Sequence, residues 1–204
     1  MRIGIDFDNT IVCYDGLFVD EARQRGAIAE GGPTSKTAIR TALVQRGEEA
    51  LWTEIQGRVY GERMVEAAPF PGVIEFFERC HEAGIQLGII SHKTQFPVIG
   101  PRYDLHNAAR AWLARQGLDQ VCERVVFAAT RREKVARIRE FGCTTFVDDL
   151  VEVLGDSGFP GHVRPVLFDP HDKFRGARFE RCRSWYEVAV VLLRATGHLE
   201  EIAS

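Results

Sequence analysis

The sequence has no long apolar run, no large excess of charge of either sign and no closely spaced pair of cysteines. Its longest uninterrupted apolar stretch, Val188-Ala189-Val190-Val191-Leu192-Leu193, falls far short of the roughly 20 residues that a membrane-spanning helix needs. A formal net charge of -3 offers no electrostatic basis for a nucleic acid polymer or an anionic membrane as partner. The five cysteines (Cys13, Cys80, Cys122, Cys143, Cys182) are scattered, with no C-x-x-C. That pattern fits reduced thiols in the cytosol better than a disulfide framework or a zinc site. No basic segment followed by an apolar one precedes the first strand, and there is no internal repeat or low-complexity tract. The expectation is a cytoplasmic globular protein whose 204 residues make one domain with a small appendage.

What is present is concentrated first in Arg2-Ile3-Gly4-Ile5-Asp6-Phe7-Asp8-Asn9-Thr10. A short apolar run ends in two carboxylates one residue apart. Positions two apart on a strand point the same way, so a strand that bends into a loop after Asp6 lets Asp6 and Asp8 converge. Two carboxylates held together resist joint ionisation unless a cation or a shared proton lies between them. The plainer reading is a strand that ends in a polar turn, where Asp and Asn are common. This stretch does not decide between them.

The rest of the chain divides in two. Residues 17–67 carry helical patterns and no strong strand. Tyr14-Asp15-Gly16 reads as a turn, Pro33-Thr34-Ser35 caps a helix beginning at Lys36, and a second helix spans about Glu48 to Val65. From Pro69 onward, helices and strands alternate. Helices are read at 71–80, 105–115 and 131–141, with a closing helix from Ser184 to Ala195. Strands are read at 85–90, 124–127, 144–147 and 163–168. Alternation of this kind implies right-handed crossovers and a parallel sheet covered on both faces, an α/β Rossmann-like core. The core is assigned to residues 1–14 and 69–204, and the helical insertion to 15–68.

Open α/β sheets bind ligands at the carboxyl ends of their strands. Asp6 and Asp8, then Ser91, then Asp148 and Asp149 all fall at such ends, and Lys134 opens the helix after another strand. The acidic ends suit a hard cation bound through oxygen, with Mg²⁺ the natural choice. Ser91 offers a hydroxyl and Lys134 a positive point charge for a phosphoryl group. With its charge shielded, Asp6 can attack phosphorus while Asp8 protonates the leaving oxygen and later activates water. The chemistry implied is phosphoryl transfer to Asp6 followed by hydrolysis of the aspartyl-phosphate.

Asp6-Phe7-Asp8-Asn9-Thr10, then Ser91, Lys134 and Asp148-Asp149 in that order, resemble the four motifs of the haloacid dehalogenase superfamily. The resemblance covers the chain apart from the insertion, which is similar to that family's small helical cap. It implies Asp6 as nucleophile and Asp8 as general acid/base that also gives its backbone carbonyl to Mg²⁺. It implies Thr10 as a brace of the loop within the phosphate-binding set, Ser91 and Lys134 as phosphate ligands, and Asp148 as a direct metal ligand. Asp149 acts through water or from behind, and Glu152 is a weaker candidate. Lys93 competes with Lys134 for the phosphate; Lys134 is preferred because it opens a helix after a strand. The partner implied is a small phosphorylated metabolite such as a sugar phosphate, nucleotide or phosphorylated acid.

Further candidates are weaker. The loop 91–106 starts at a motif strand, so His92 is expected to bind the phosphate with Ser91, Lys93 is expected near substrate, and Arg102, Tyr103 and His106 stand behind them. Lys36, Arg40, Arg58 and Arg63 are candidate contacts for an anion, although a solvated helix face is the plainer reading of each singly. Trp52 and Tyr60 read as cap core, and His81, His162 and His198 as surface groups. His171-Asp172-Lys173 lies after a strand end but carries no assignment. Dehalogenation would dispense with Asp8, and phosphonate cleavage in this family needs a cap lysine, for which Lys36 is the only candidate. A phosphomutase shares the first half-reaction. A receiver domain would reverse the order of its acidic groups. A non-catalytic phosphate-binding module would more naturally have lost Asp6, Asp8 or Lys134.

Overall fold

The computed structural model describes residues 1–194. The chain starts with β1 (Arg2–Ile5) and β2 (Val12–Cys13), then forms α1 (Asp15–Gln24), α2 (Lys36–Gln45) and α3 (Glu49–Tyr60). It returns through β3 (Ala68–Pro69) to α4 (Val73–Glu82), β4 (Gln86–His92), α5 (Leu105–Arg115) and the short α6 (Leu118–Val121). There follow β5 (Arg124–Ala128), α7 (Arg131–Phe141), β6 (Thr145–Asp148), the one-turn α8 (Val151–Leu154), β7 (Arg164–Phe168), β8 (Glu180–Cys182) and α9 (Trp185–Leu193). The main sheet has six parallel strands in the order β5-β4-β1-β6-β7-β8. The order reverses at β1, which pairs with β4 on one side and β6 on the other. Such a switch point opens a crevice at the carboxyl ends of the strands.

Both sheet faces are buried, as a parallel sheet requires. Ile3, Ile5, Leu87 and Ile89 belong to the larger apolar cluster, which continues through α4, α5 and α9 and into the helical segment. Ile90 and Phe146 belong to the other cluster, with Ile138, Phe141, Val153 and Leu154. On this second face two glycines are needed. A Cβ on Gly88 would lie 2.5 Å from the Phe141 ring, and one on Gly4 would lie 2.5 Å from the Phe146 ring. Bare backbone at Gly88 lets α7 approach the sheet closely, and at Gly4 makes room for the Phe146 ring of the neighbouring strand β6 and for Cys143.

The α/β core with a helical cap inserted after the first strand is as expected, and α2 starts where Ser35 accepts a hydrogen bond from the Ala38 N–H at 3.3 Å. Asp15 and Gly16, read as a turn, instead begin α1. Leu17, Phe18, Val19 and Ala22 on its inner face are buried, and that burial overrides the turn preference of two residues. The expected helix to Val65 ends at Tyr60 and is followed by a 3-10 turn. The edge strand β8 was not legible: three residues, Glu180-Arg181-Cys182, carry no period. The antiparallel pair β2–β3, which joins Val12 to Pro69 and Cys13 to Ala68, holds together the two chain crossings into the helical segment. Ala195 and His198 lie outside the described residues. No helix among the described residues is long and apolar enough to cross a membrane.

Candidate active site

Asp6 is set one step beyond β1, where its N–H donates to the Val147 carbonyl at 2.9 Å and continues the ladder to β6. The chain then turns sharply. Ile11 and Val12 N–H groups both return to the Phe7 carbonyl, and Asn9 takes a left-handed φ of 60°, a conformation Asn tolerates. This turn brings Asp6 and Asp8 onto one cavity of about 290 Å³ with Ser91, Lys93, Lys134 and Asp149.

Each of the two carboxylates has its own lysine. Lys134, fully buried on the first turns of α7, places Nζ 2.5 Å from Asp6 Oδ1 and 2.7 Å from Asp148 Oδ2. Burial opposes its charge, but Asp148 and Asp6 outweigh it and hold the ammonium protonated above the usual lysine range. Lys93, also buried, puts Nζ 2.9 Å from each oxygen of Asp8, while Tyr14 donates to Asp8 Oδ1 at 2.6 Å. Burial pushes the Asp8 carboxyl up, yet Lys93 and Tyr14 together bring it below the usual range. The two lysines expected to compete for one role therefore occupy two.

Asp6, Asp148 and Asp149 offer oxygens that all lie within 4.8 Å of one another. Burial pushes the Asp148 carboxyl up to about 7, with Asp6 adding to it and Lys134 resisting. Burial, then Asp6 and Asp148, raise Asp149 well above the ordinary carboxylate range. Three carboxylates against one ammonium leave negative charge to be neutralised, and an all-oxygen donor set suits a hard cation such as Mg²⁺. The residues fit that ion. Asp148 is fully buried, and its Oδ1 accepts the Leu150 N–H at 3.0 Å, whereas Asp149 is half-buried and lines the cavity. Asp149 thus has access at least as direct as that of Asp148.

Ser91 Oγ, at the end of β4, is buried and has no hydrogen-bond partner among the described residues; it is aimed at a space where an oxyanion would satisfy it. His92 is exposed on the rim, 3.1 Å from the Ala129 carbonyl. Thr10 does not line the cavity. It is fully buried, its hydroxyl donates to Asp6 Oδ2 at 3.4 Å and its carbonyl accepts from Trp185 Nε1, so it braces the loop and has no access to phosphate. Glu152 is exposed and lies off the cavity wall.

Of the more distant candidates, Arg58 and Arg63 are drawn to buried Glu21, at 3.6 and 3.2 Å, and are held within the helical segment. Arg102 stacks on Phe96, Tyr103 donates to Glu62, and His106 contacts the Lys93 carbonyl, so this trio supports the loop. Trp52 stacks on Phe18 as core. Tyr60 departs from the expectation: it packs on Tyr14 but also faces the cavity, with Lys93 Nζ 4.7 Å from its ring centre. Its position at the last turn of α3 looked like any buried aromatic in the sequence. Tyr14, the partner of Asp8, was missed because a lone aromatic at a turn carries no signal.

The sequence matches no protein-family model and no curated protein. Solved structures do match over nearly the whole chain. A haloacid dehalogenase-like hydrolase from Streptococcus pneumoniae is 14% identical with a TM-score of 0.64, covering 93% of this chain and 97% of its own. A HAD phosphatase from Thermococcus onnurineus is 18% identical with a TM-score of 0.55, covering 94% and 97%. A HAD family hydrolase from Deinococcus radiodurans with bound phosphate and sodium is 15% identical, TM-score 0.61, covering 98% and 97%. A dehalogenase also matches. With its switch point at β1, its helical segment inserted after the first strand and its acidic residues at the strand ends, this chain has the haloacid dehalogenase-like fold.

Proposed function

We propose that the protein is a Mg²⁺-dependent phosphohydrolase that acts on a small phosphomonoester through an aspartyl-phosphate on Asp6. The observation that carries this reading is the convergence of Asp6, Asp8 and the unpartnered Ser91 Oγ on one cavity, with a lysine beside each carboxylate. Asp6, Asp148 and Asp149 would hold Mg²⁺, which supplies positive charge against the phosphate oxygens and the nucleophile. Ser91 Oγ and Lys134 Nζ bind the phosphoryl oxygens and orient phosphorus toward Asp6. An Asp6 oxygen then bonds to phosphorus as the bond to the alcohol oxygen breaks. The departing oxygen takes a proton held by the Asp8–Lys93 pair. In the second step Asp8 removes a proton from water, which attacks phosphorus and releases Asp6 and inorganic phosphate.

Asp8 favours this reading over dehalogenation, because a leaving halide needs no proton. Phosphonate cleavage through Lys36 is disfavoured. A Schiff base needs a neutral amine, yet Tyr60 and Asp8 outweigh the effect of burial and raise the Lys36 pKa. A cavity of this size suits a small molecule, and five free thiols suit a reducing, cytoplasmic setting. The test is phosphate release across a panel of phosphorylated metabolites, with and without Mg²⁺. Release on a subset, lost with EDTA and in Asp6→Asn, is expected; release that survives Asp6→Asn removes Asp6 from its role.

A further inference from the structure

Beside the cavity at Asp6 lies a second, of about 330 Å³, and the two share Asn9, Lys36, Asp149 and Leu150 as walls. Its apolar lining comes from Phe70, Phe168 and Phe174. Its charged lining is unusual in how the charges are partnered. Asp169 is already satisfied by the N–H groups of Lys173 and Phe174 and by Arg181, and Asp15 by the Lys36 N–H and His171. Two of the cations, Arg40 and Lys173, are not neutralised in this way. Among the described residues, Lys173 Nζ donates only to the neutral Thr37 hydroxyl at 3.0 Å. The Lys36 ammonium, 5.4 Å from the Tyr60 ring centre, instead faces Asp8 and Asp149, and is already balanced on the side of the phosphoryl site. Among the described residues, Arg40 has neither a hydrogen bond nor an ion pair from its side chain. Arg25, Arg46, Arg58 and Arg63 in the helical segment each meet a carboxylate; Arg23, like Arg40, meets none among the described residues, but of these two only Arg40 lines the cavity. Arg40 and Lys173, without carboxylate partners among the described residues, thus stand together at the mouth of one cavity, next to the phosphoryl site.

Resting on the phosphohydrolase reading, we propose that the substrate's alcohol portion carries a second anionic group, a carboxylate or a phosphate, held by Arg40 and Lys173 in this second cavity. The carbon skeleton lies on the aromatic lining between the two charges. A loop of the core, 169–174, and the first turns of α2 in the cap therefore read the substrate jointly. The reacting phosphoryl group remains at Ser91 and Lys134.

The test measures binding and requires no turnover. Calorimetry with Mg²⁺ present compares three series of graded chain length: alkylphosphonates, ω-carboxyalkylphosphonates and alkane bisphosphonates. At one length, a doubly anionic compound is expected to bind at least about tenfold more tightly than its uncharged-tail counterpart. The series with the larger ratio names the second group. That ratio should fall toward one in Arg40→Gln and in Lys173→Gln, each read against the alkylphosphonate in the same protein. Equal affinity at every length, or a ratio that survives in both variants, overturns the proposal. Methylphosphonate separates the two levels. If it binds without any second-anion advantage, only this inference falls; if it does not bind to folded protein, the phosphohydrolase reading falls with it.

Discussion

Asp8 accepts hydrogen bonds from Tyr14 and Lys93 in a buried setting that would otherwise favour its neutral form. Lys93→Met removes the larger opposing charge and leaves burial in control, so the Asp8 pKa rises. Because Asp8 must be ionised to take the proton from water, the acid limb of the kcat–pH profile should move to higher pH, with a loss of about 10²-fold at the optimum. An unmoved limb would show that Lys93 does not govern Asp8. Asp149 is the reverse case, since its raised pKa means that ionisation opposes folding. Stability without metal should therefore fall as pH rises from the unfolded value toward the folded one. Asp149→Asn should unfold later than the parent in EDTA at pH 8, yet lose the upward Tm shift that Mg²⁺ gives the parent. A Mg²⁺ response retained in the variant would remove Asp149 from the ion's ligands.

Helix α7 carries Lys134, and its fit against β4 and β5 sets where that ammonium arrives. Gly88→Ala would drive a methyl into Phe141 on the same helix. The expected loss is about 1–3 kcal/mol in urea unfolding, accompanied by weaker phosphate binding as Lys134 shifts. Loss of stability with unchanged phosphate affinity would uncouple the helix seat from the site. The turn after β7 depends on Asp169, whose carboxylate is 2% exposed and accepts two backbone N–H groups and Arg181. Burial raises its pKa, but these donors outweigh it and the net shift is downward. Its stabilisation is therefore complete above the unfolded value of about 3.9 and is lost as pH falls through the lower folded value. Asp169→Asn should cost about 1–3 kcal/mol at pH 7, by urea titration, and the difference should shrink as pH falls below the ordinary carboxylate range.

The cap and the sheet share one apolar cluster, which runs from Ile3 and Ile5 through Tyr14 and Phe18 to Trp52, Ile55 and Ile39. Trp112 Nε1 donates to the Ala67 carbonyl and Trp185 Nε1 to that of Thr10, so core indoles hold both sides of the crossing into the cap. Such continuity predicts one cooperative transition. In a Trp112→Phe, Trp185→Phe background, fluorescence of Trp52 reports the cap alone. Its urea midpoint should coincide with that of far-UV circular dichroism, which follows the whole chain; separate midpoints would make the cap an independent unit.

The alternation of the main strands and helices, the parallel sheet, the insertion after β1 and the residues at the strand ends were legible in the residue pattern, whereas the short elements β8, α6 and α8 and the start of α1 were not. Period, caps and turn residues are local properties, and Ser35 ahead of α2 and Ser184 ahead of α9 mark their helices in plain view. The division of labour between Lys93 and Lys134 was not legible, nor were the parts of Tyr14 and Tyr60, the burial of Thr10 away from the cavity, and the second cavity. These depend on contacts between residues far apart in the chain, such as Lys134 with Asp6 and Lys173 with Thr37. Local preference can say that a lysine opens a helix, but only the packing of that helix on the sheet decides which carboxylate it meets.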